Sequence, residues 1–258
     1  MDTLVFRLYG AMASWGEIAV GENRHTANHP SKSAIIGLLA AALGIKRDDE
    51  EQQNLLQQGY ALAVEVIFIG QLLSDYHSTQ VPRATGKINF HTRRDEIVLG
   101  KKQLGTILSS REYRSDTLVL VAIQALETAP YSLVEIKKQL LKPKFHLYLG
   151  RKSCPLAAPL DPQLIKQTYY YDALKAYQHK PMLPAYTEDN GNTSKCDIDW
   201  LGKPKGRHYY WEGQPGDFTD SLDLTHKQTH IRHDQPLSRK RWQFSPRQEH
   251  YLFIGGGE

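Results

Sequence analysis

The chain has 258 residues, 40% hydrophobic and 23% charged, which allows a sizeable core and excludes a disordered or fibrous chain. Its net charge of +4 is modest but unevenly spread: residues 1–70 carry 5 basic and 8 acidic side chains, residues 71–160 carry 14 and 7, and residues 161–258 carry 13 of each. Cys154 and Cys196 are too few for a disulfide framework, no stretch reaches the length of a membrane span, and the first ten residues lack a signal-peptide pattern.

The expected location is therefore the cytoplasm, with no membrane partner. Residues 3–9 alternate Leu4, Phe6 and Leu8 against Val5, Arg7 and Tyr9, and Gly10 ends them, which predicts a strand. A loop with Trp15-Gly16 and the polar run 22–26 follows. Pro30 and either Ser31 or Ser33 then open a helix over 34–43 (AIIGLLAAAL), apolar on every face and hence expected against a sheet, with Gly44 as its C′ residue. The exposed N–H groups of that helix start, beside Ser31, Lys32 and Ser33, suit a phosphate; plain capping asks for the same residues.

Residues 48–58 predict a polar helix or turn, and 61–69 (ALAVEVIFI) a core strand. Residues 71–115 change character, with eight basic and four acidic side chains among short alternating pieces broken by Pro82, Gly86, Gly100 and Gly105. A long basic β-hairpin or arm fits them. The sheet resumes over 116–124, and 132–141 is an amphipathic helix with Ser132 as N-cap and Glu135 at N3.

The stretch 141–155 (LKPKFHLYLGRKSCP) interleaves cations with Phe145, His146 and Tyr148. Cations attract phosphate and flat rings stack on bases, the mixture that single-stranded nucleic acid requires. The same stretch also fits a basic helix end followed by a core strand at 144–149. With that strand the order is β, α, β, arm, β, α, β, an α+β split βαβ (ferredoxin-like, RRM-type) unit over residues 1–155 with a hairpin thumb inserted at about 72–115. Residues 156–258 read as a smaller, mostly-β C-terminal domain, with strands near 194–198, 229–232 and 250–254. Tyr169-Tyr170-Tyr171, residues 203–211 and residues 239–242 add weaker basic or aromatic patches.

Several stretches together resemble the Cas five family of RAMP proteins, the CasD-type subunits of type I-E CRISPR Cascade complexes. They are Ala13-Ser14-Trp15-Gly16, residues 30–49 (PSKSAIIGLLAAALGIKRDD), Asp75-Tyr76-His77, Arg111-Glu112-Tyr113 and residues 141–160. The likeness thins after residue 160, where 233–236 and 244–254 match loosely, and residues 180–230 are longer than it leads one to expect. The resemblance implies a non-catalytic subunit that caps the 5′ handle of crRNA. It also implies a thumb set against a CasC-type backbone subunit, docking of a CasA-type large subunit, and contact with target DNA only through the assembled complex. Lys32, Lys144, Arg151 and Lys152 are the expected phosphate contacts, with Ser31 and Ser33 at the helix start. Trp15, Tyr76, His77, Tyr113 and Tyr148 are candidates for stacking, although core packing would equally explain an aromatic such as Tyr148. Arg24 and Arg111 join the RNA-binding set, and Arg83, Arg93, Arg94, Lys101 and Lys102 would line the thumb.

An alternative activity is metal-independent cleavage of repeat RNA, which needs an acid and a base near a 2′-OH. Tyr76-His77, or His146 with Lys144, have that composition; relatives in another CRISPR subtype do cut repeat RNA, whereas the type I-E arrangement assigns processing to a separate subunit. His226, His230 and His233 have Asp223 and Asp234 nearby, but the stretch reads as a solvated loop or strand, and no metal is expected there. No cofactor and no catalytic residue is expected.

Overall fold

The computed structural model describes residues 2–19, 21–83, 89–98, 103–180, 201–238, 241 and 243–255. Strand β1 (Asp2–Ala13) and the long β5 (Leu104–Ala125) form the middle of the fold, antiparallel from Leu4↔Ile123 to Ala13↔Arg114. β3 (Tyr60–Phe68) pairs with the other side of β5, and β6 (Gln163–Lys166) with the other side of β1. Beyond β3 the sheet continues through β7 (Gly206–Trp211), β9 (Gln243–Gly255) and β8 (Gln228–Ser238), in the order β6-β1-β5-β3-β7-β9-β8. The short β2 (Asn23–Arg24) and β4 (Gln71–Pro82) also pair with β5.

Alternation in these strands builds a core on each face of the sheet. Leu4, Phe6, Leu8, Val119, Val121 and Ile123 meet α1 (Lys32–Leu43), α2 (Glu50–Gly59) and α4 (Leu133–Leu141). Val5, Leu118, Leu120 and Ala122 face the other way, onto α5 (Tyr170–Ala176), Trp211 and Phe218. Helix α1 begins where expected, with Ser31 accepting from the Ala34 N–H at 3.2 Å. It ends on Gly44 at φ 80, where Ile45 N–H bonds Ala40 O at 2.8 Å and satisfies a terminal carbonyl. Its Ile and Leu side chains are buried, but the small-residue side, Ala34, Gly37 and Ala41, is only partly covered. Apolar on every face did not mean buried on every face. The expected capping box of α4 is present, Ser132 and Glu135 each bonding the other's backbone N–H.

β5 is two structures in one strand. Its second half is buried on both faces, while residues 104–115 leave the sheet as a hairpin with β4, in register from Gln71↔Ser115 to Pro82↔Leu104. The departure is marked by Asp116 at φ 55 and Gly70 at φ 74, where a side chain on Gly70 would collide with the Ser115 carbonyl. A short α3 (Arg93–Ile97), boxed by Thr92 and Asp95, sits between the two strands in sequence.

Three expectations need correction. Residues 144–149 form no sheet strand: the edge strand beside β1 is β6. The basic stretch instead crosses the end of α1, where Lys144 and Phe145 N–H groups bond Ala42 and Ala41 carbonyls at 3.0 and 3.1 Å. Second, residues 206–211 are a sheet strand rather than a surface patch, with Tyr209 and Trp211 buried and Ala63 paired to Trp211. That pairing carries one sheet across the domain boundary expected near residue 155. Third, Tyr170 is likewise buried in the second core. The strands expected at 229–232 and 250–254 fall within β8 and β9; residues 194–198 lie outside the described residues.

Candidate nucleic-acid interface

The open side of α1 and the basic stretch face each other across a groove of about 1100 Å³. Ala34, Gly37 and Ala41 form one wall, and Lys46 and Arg47 follow the Gly44 cap onto its edge. Phe145, His146, Tyr148, Arg151 and Lys152 line the opposite side. This second wall is held to β1 by Ser14 N–H bonding Leu149 O at 3.0 Å, and closed on itself by Leu149 N–H bonding Cys154 O at 2.7 Å. Gly150, at φ 85, touches the Ser14 carbonyl so closely that any side chain would collide with it. The loop therefore lies flat on the strand end and turns Arg151 and Lys152 toward the groove.

Arg151 is the most informative residue here. Its guanidinium lies 5.1 Å from the centroid of Tyr113, and its Nη1 is buried without a hydrogen-bond partner among the described residues. A buried donor left without a partner costs free energy, offset here in part by the cation–π contact with Tyr113. Ser31 and Ser33 line the groove with hydroxyls 3.0 Å apart. Cys154, below the loop, is buried, and desolvation raises its thiol pKa, leaving it an apolar prop.

The other candidates are placed differently. Trp15 is only 3% exposed, its backbone N–H bonding Thr26 Oγ1 at 2.9 Å, so it supports the loop from the core; Tyr113 is buried beneath Arg151. Lys32 does not face the groove. Its ammonium is held by Glu212 at 2.8 Å and by Tyr60 O at 3.0 Å, while its backbone N–H bonds Asp234 Oδ2 at 3.1 Å. The start of α1 is thus occupied by the protein's own carboxylate. Lys144 is exposed and packs its stem on Gly44. Phe145 and Tyr148 are exposed rings.

The hairpin carries a second group. Tyr76 is 66% exposed on β4, His77 pairs with Asp75, and Arg111 lies opposite Asp75 in register. Arg24 is exposed on β2 beside Arg111 and donates to Ala19 O at 3.1 Å. Arg83 and Arg94 are exposed, and Arg93 donates to Gln80 O and Glu96. Lys101 and Lys102 lie outside the described residues. Among the described residues no three His, Cys, Asp or Glu side chains are grouped to hold a metal ion. Lys46 and Arg47 were missed from sequence because the acidic run from Asp48 to Glu51 masks them, although two cations just past a helix-ending glycine were a usable signal.

Away from the groove, charges are internal. His29 Nε2 lies 3.1 Å from Glu249, and Arg247 binds both Asp234 and Glu249, at 2.6 and 2.7 Å. Burial alone would raise the Glu249 pKa, but His29 and Arg247 outweigh it and hold it at about 2. Burial raises the Glu65 pKa, against Arg207 at 2.8 Å and the Tyr209 hydroxyl at 3.1 Å.

The sequence model of a family described as CRISPR-associated protein (Cas_Cas5) matches residues 3–249. A relative from Escherichia coli (strain K12), the CRISPR system Cascade subunit CasD, is 36% identical over 159 residues, spanning 61% of this chain and 68% of the relative. Two solved structures share the fold at 23% identity. A CRISPR RNA-guided surveillance complex has a TM-score of 0.60 and covers 98% of this chain and 90% of its own. A crystal structure of a Cas protein has a TM-score of 0.58, over 98% and 95%.

Proposed function

The chain belongs to the CRISPR-associated Cas_Cas5 family, and on that premise we propose that it is a non-catalytic Cascade subunit gripping the 5′ handle of a crRNA in the α1 groove. The observation that carries this reading is the groove itself, lined by Lys46, Arg47, Arg151 and Lys152 with one carboxylate, Asp48. Lys46, Arg47, Arg151 and Lys152 supply phosphate contacts, and Phe145, Tyr148 and His146 supply stacking faces. The partly open, small-residue side of α1 lets an RNA backbone approach closely.

The strand order β6-β1-β5-β3, with α1 and α4 on one face, is the layout of a ferredoxin-like unit, and the β4–β5 hairpin is its thumb. Exposed Leu72, Leu73, Tyr76, Ile107 and Leu108 on that hairpin suit a protein neighbour, here a CasC-type backbone subunit. A CasA-type large subunit docks elsewhere, and target DNA is met only through the assembled complex. No helix among the described residues is long and apolar enough to cross a membrane.

The test is binding of the purified chain to labelled handle RNA and to a scrambled RNA at fixed, stated salt, each sample then run on a denaturing gel. The expected result is intact RNA and preference for the handle. Equal binding contradicts the capping role, and cut RNA makes the chain an endoribonuclease.

A further inference from the structure

Resting on that RNA-binding reading, we propose that a second cavity beside the groove receives one unstacked nucleobase and selects guanine. The cavity has a volume of about 340 Å³, within the range that accepts small ligands. Two loop segments lead from groove to cavity: Gly16 and Ser31 line the groove, and Glu17 and His29 line the cavity.

Its floor is rigid. His29 and Glu249 are buried and paired, and Arg247 fixes the second Glu249 oxygen. Its walls are aromatic: the Tyr210 and Tyr251 centroids lie 5.0 Å apart, and His29 stacks on Tyr210 at 3.6 Å. Flat walls of this kind receive a base face.

The selecting groups are Glu17, exposed, and Arg232, partly exposed, with Oε1 and Nη1 3.5 Å apart and Arg232 Nε 3.6 Å from Glu249 Oε2. Both distances are long for an ion pair's hydrogen bond, so Glu17 and Arg232 each retain capacity for a ligand. A carboxylate accepts two parallel N–H groups, and a guanidinium beside it donates to a carbonyl. Guanine presents this complement on one edge, with N1–H and N2–H beside O6. Adenine, cytosine and uracil offer no two adjacent donors next to an acceptor. Glu249 is already engaged and serves to hold the floor.

The experiment is a ligand-detected NMR titration of the full chain with GMP, AMP, CMP and UMP at one stated salt concentration. All four carry the same phosphate, so phosphate attraction cancels in the comparison. GMP is expected to bind about tenfold tighter than the others, the discrimination typical of a two-bond base contact. The preference should disappear in Glu17→Gln and persist in Lys166→Ala, an exposed residue of β6 that lines neither groove nor cavity. Glu17 is exposed, so an unchanged unfolding midpoint confirms that the variant folds. Equal binding of all four, no binding of any, or a preference that survives Glu17→Gln overturns the proposal. Handle-RNA binding without GMP preference sinks the cavity alone; GMP preference without handle binding sinks the groove reading alone.

Discussion

Where β7–β9 meet α1 and β3, three cations are closed off by carboxylates: Lys32 by Glu212, Arg247 by Asp234 and Glu249, Arg207 by Glu65. Across the groove on the open side of α1, the lining holds Lys46, Arg47, Arg151 and Lys152 with one carboxylate, Asp48. Both regions are basic in sequence, but the first spends its charge inside the protein and the second presents it outward. A buried cation is tolerable only with a partner. A cation wall facing a groove with a single carboxylate points to a partner from outside. Charge alone does not identify a binding site; the surface it faces does.

The comparison breaks most visibly at Glu212. Glu212→Ala strands the Lys32 ammonium and the Leu62 N–H that also bonds Glu212, and should cost about 3 kcal/mol in a denaturant unfolding series. A cost below about 1 kcal/mol would mean that the pair is not holding α1 to the sheet. In the groove the expected pattern is reversed. Lys152→Ala combined with Lys46→Ala should leave stability within about 0.5 kcal/mol while weakening handle-RNA binding at least tenfold. The salt slope of log K should also fall by roughly 0.7 for each phosphate contact removed.

Acid sharpens the contrast further. Glu249, held at about 2 when folded, contributes stability that is complete above its ordinary value of 4.5 and is lost as pH falls toward 2. His179, lowered to about 4 chiefly by burial, stays neutral in the folded protein while the unfolded chain takes up a proton below 6.5. Stability should therefore decline from pH 6.5 to 4 through His179, and on below 4.5 through Glu249. Urea midpoints across that range check it, and His179→Gln should flatten the upper part. A small effect on stability is also expected from replacing residues 84–102 with a short turn. The flanking strands are mostly exposed, so the midpoint should move by about 1 kcal/mol or less, while assembly with a backbone subunit is lost.

Periodicity made most of the fold readable. The alternation of β1, the apolar run of α1 with its glycine end, and the capping box of α4 are local signals, and each element stands where they point. The 144–149 stretch was misread because its alternation resembles a strand, while its backbone hydrogen bonds go to the end of α1, a long-range contact that spacing does not encode. Residues 206–211 misled for the converse reason: Lys203, Lys205 and Arg207 sit beside rings that a neighbouring strand buries. In the site, Arg151 and Lys152 were legible as cations among aromatics. Lys32 looked equivalent, and only its distance to Glu212, 180 residues away in sequence, shows that it is spent internally.

The most direct test of the groove is ultraviolet crosslinking of handle RNA carrying 4-thiouridine, followed by mapping of the modified peptides. The account predicts crosslinks on residues 145–152, with Phe145 and Tyr148 foremost, and their loss when Arg151 is changed to Gln. Crosslinks confined to the β4–β5 hairpin or to β8, with residues 145–152 unmodified, would contradict it.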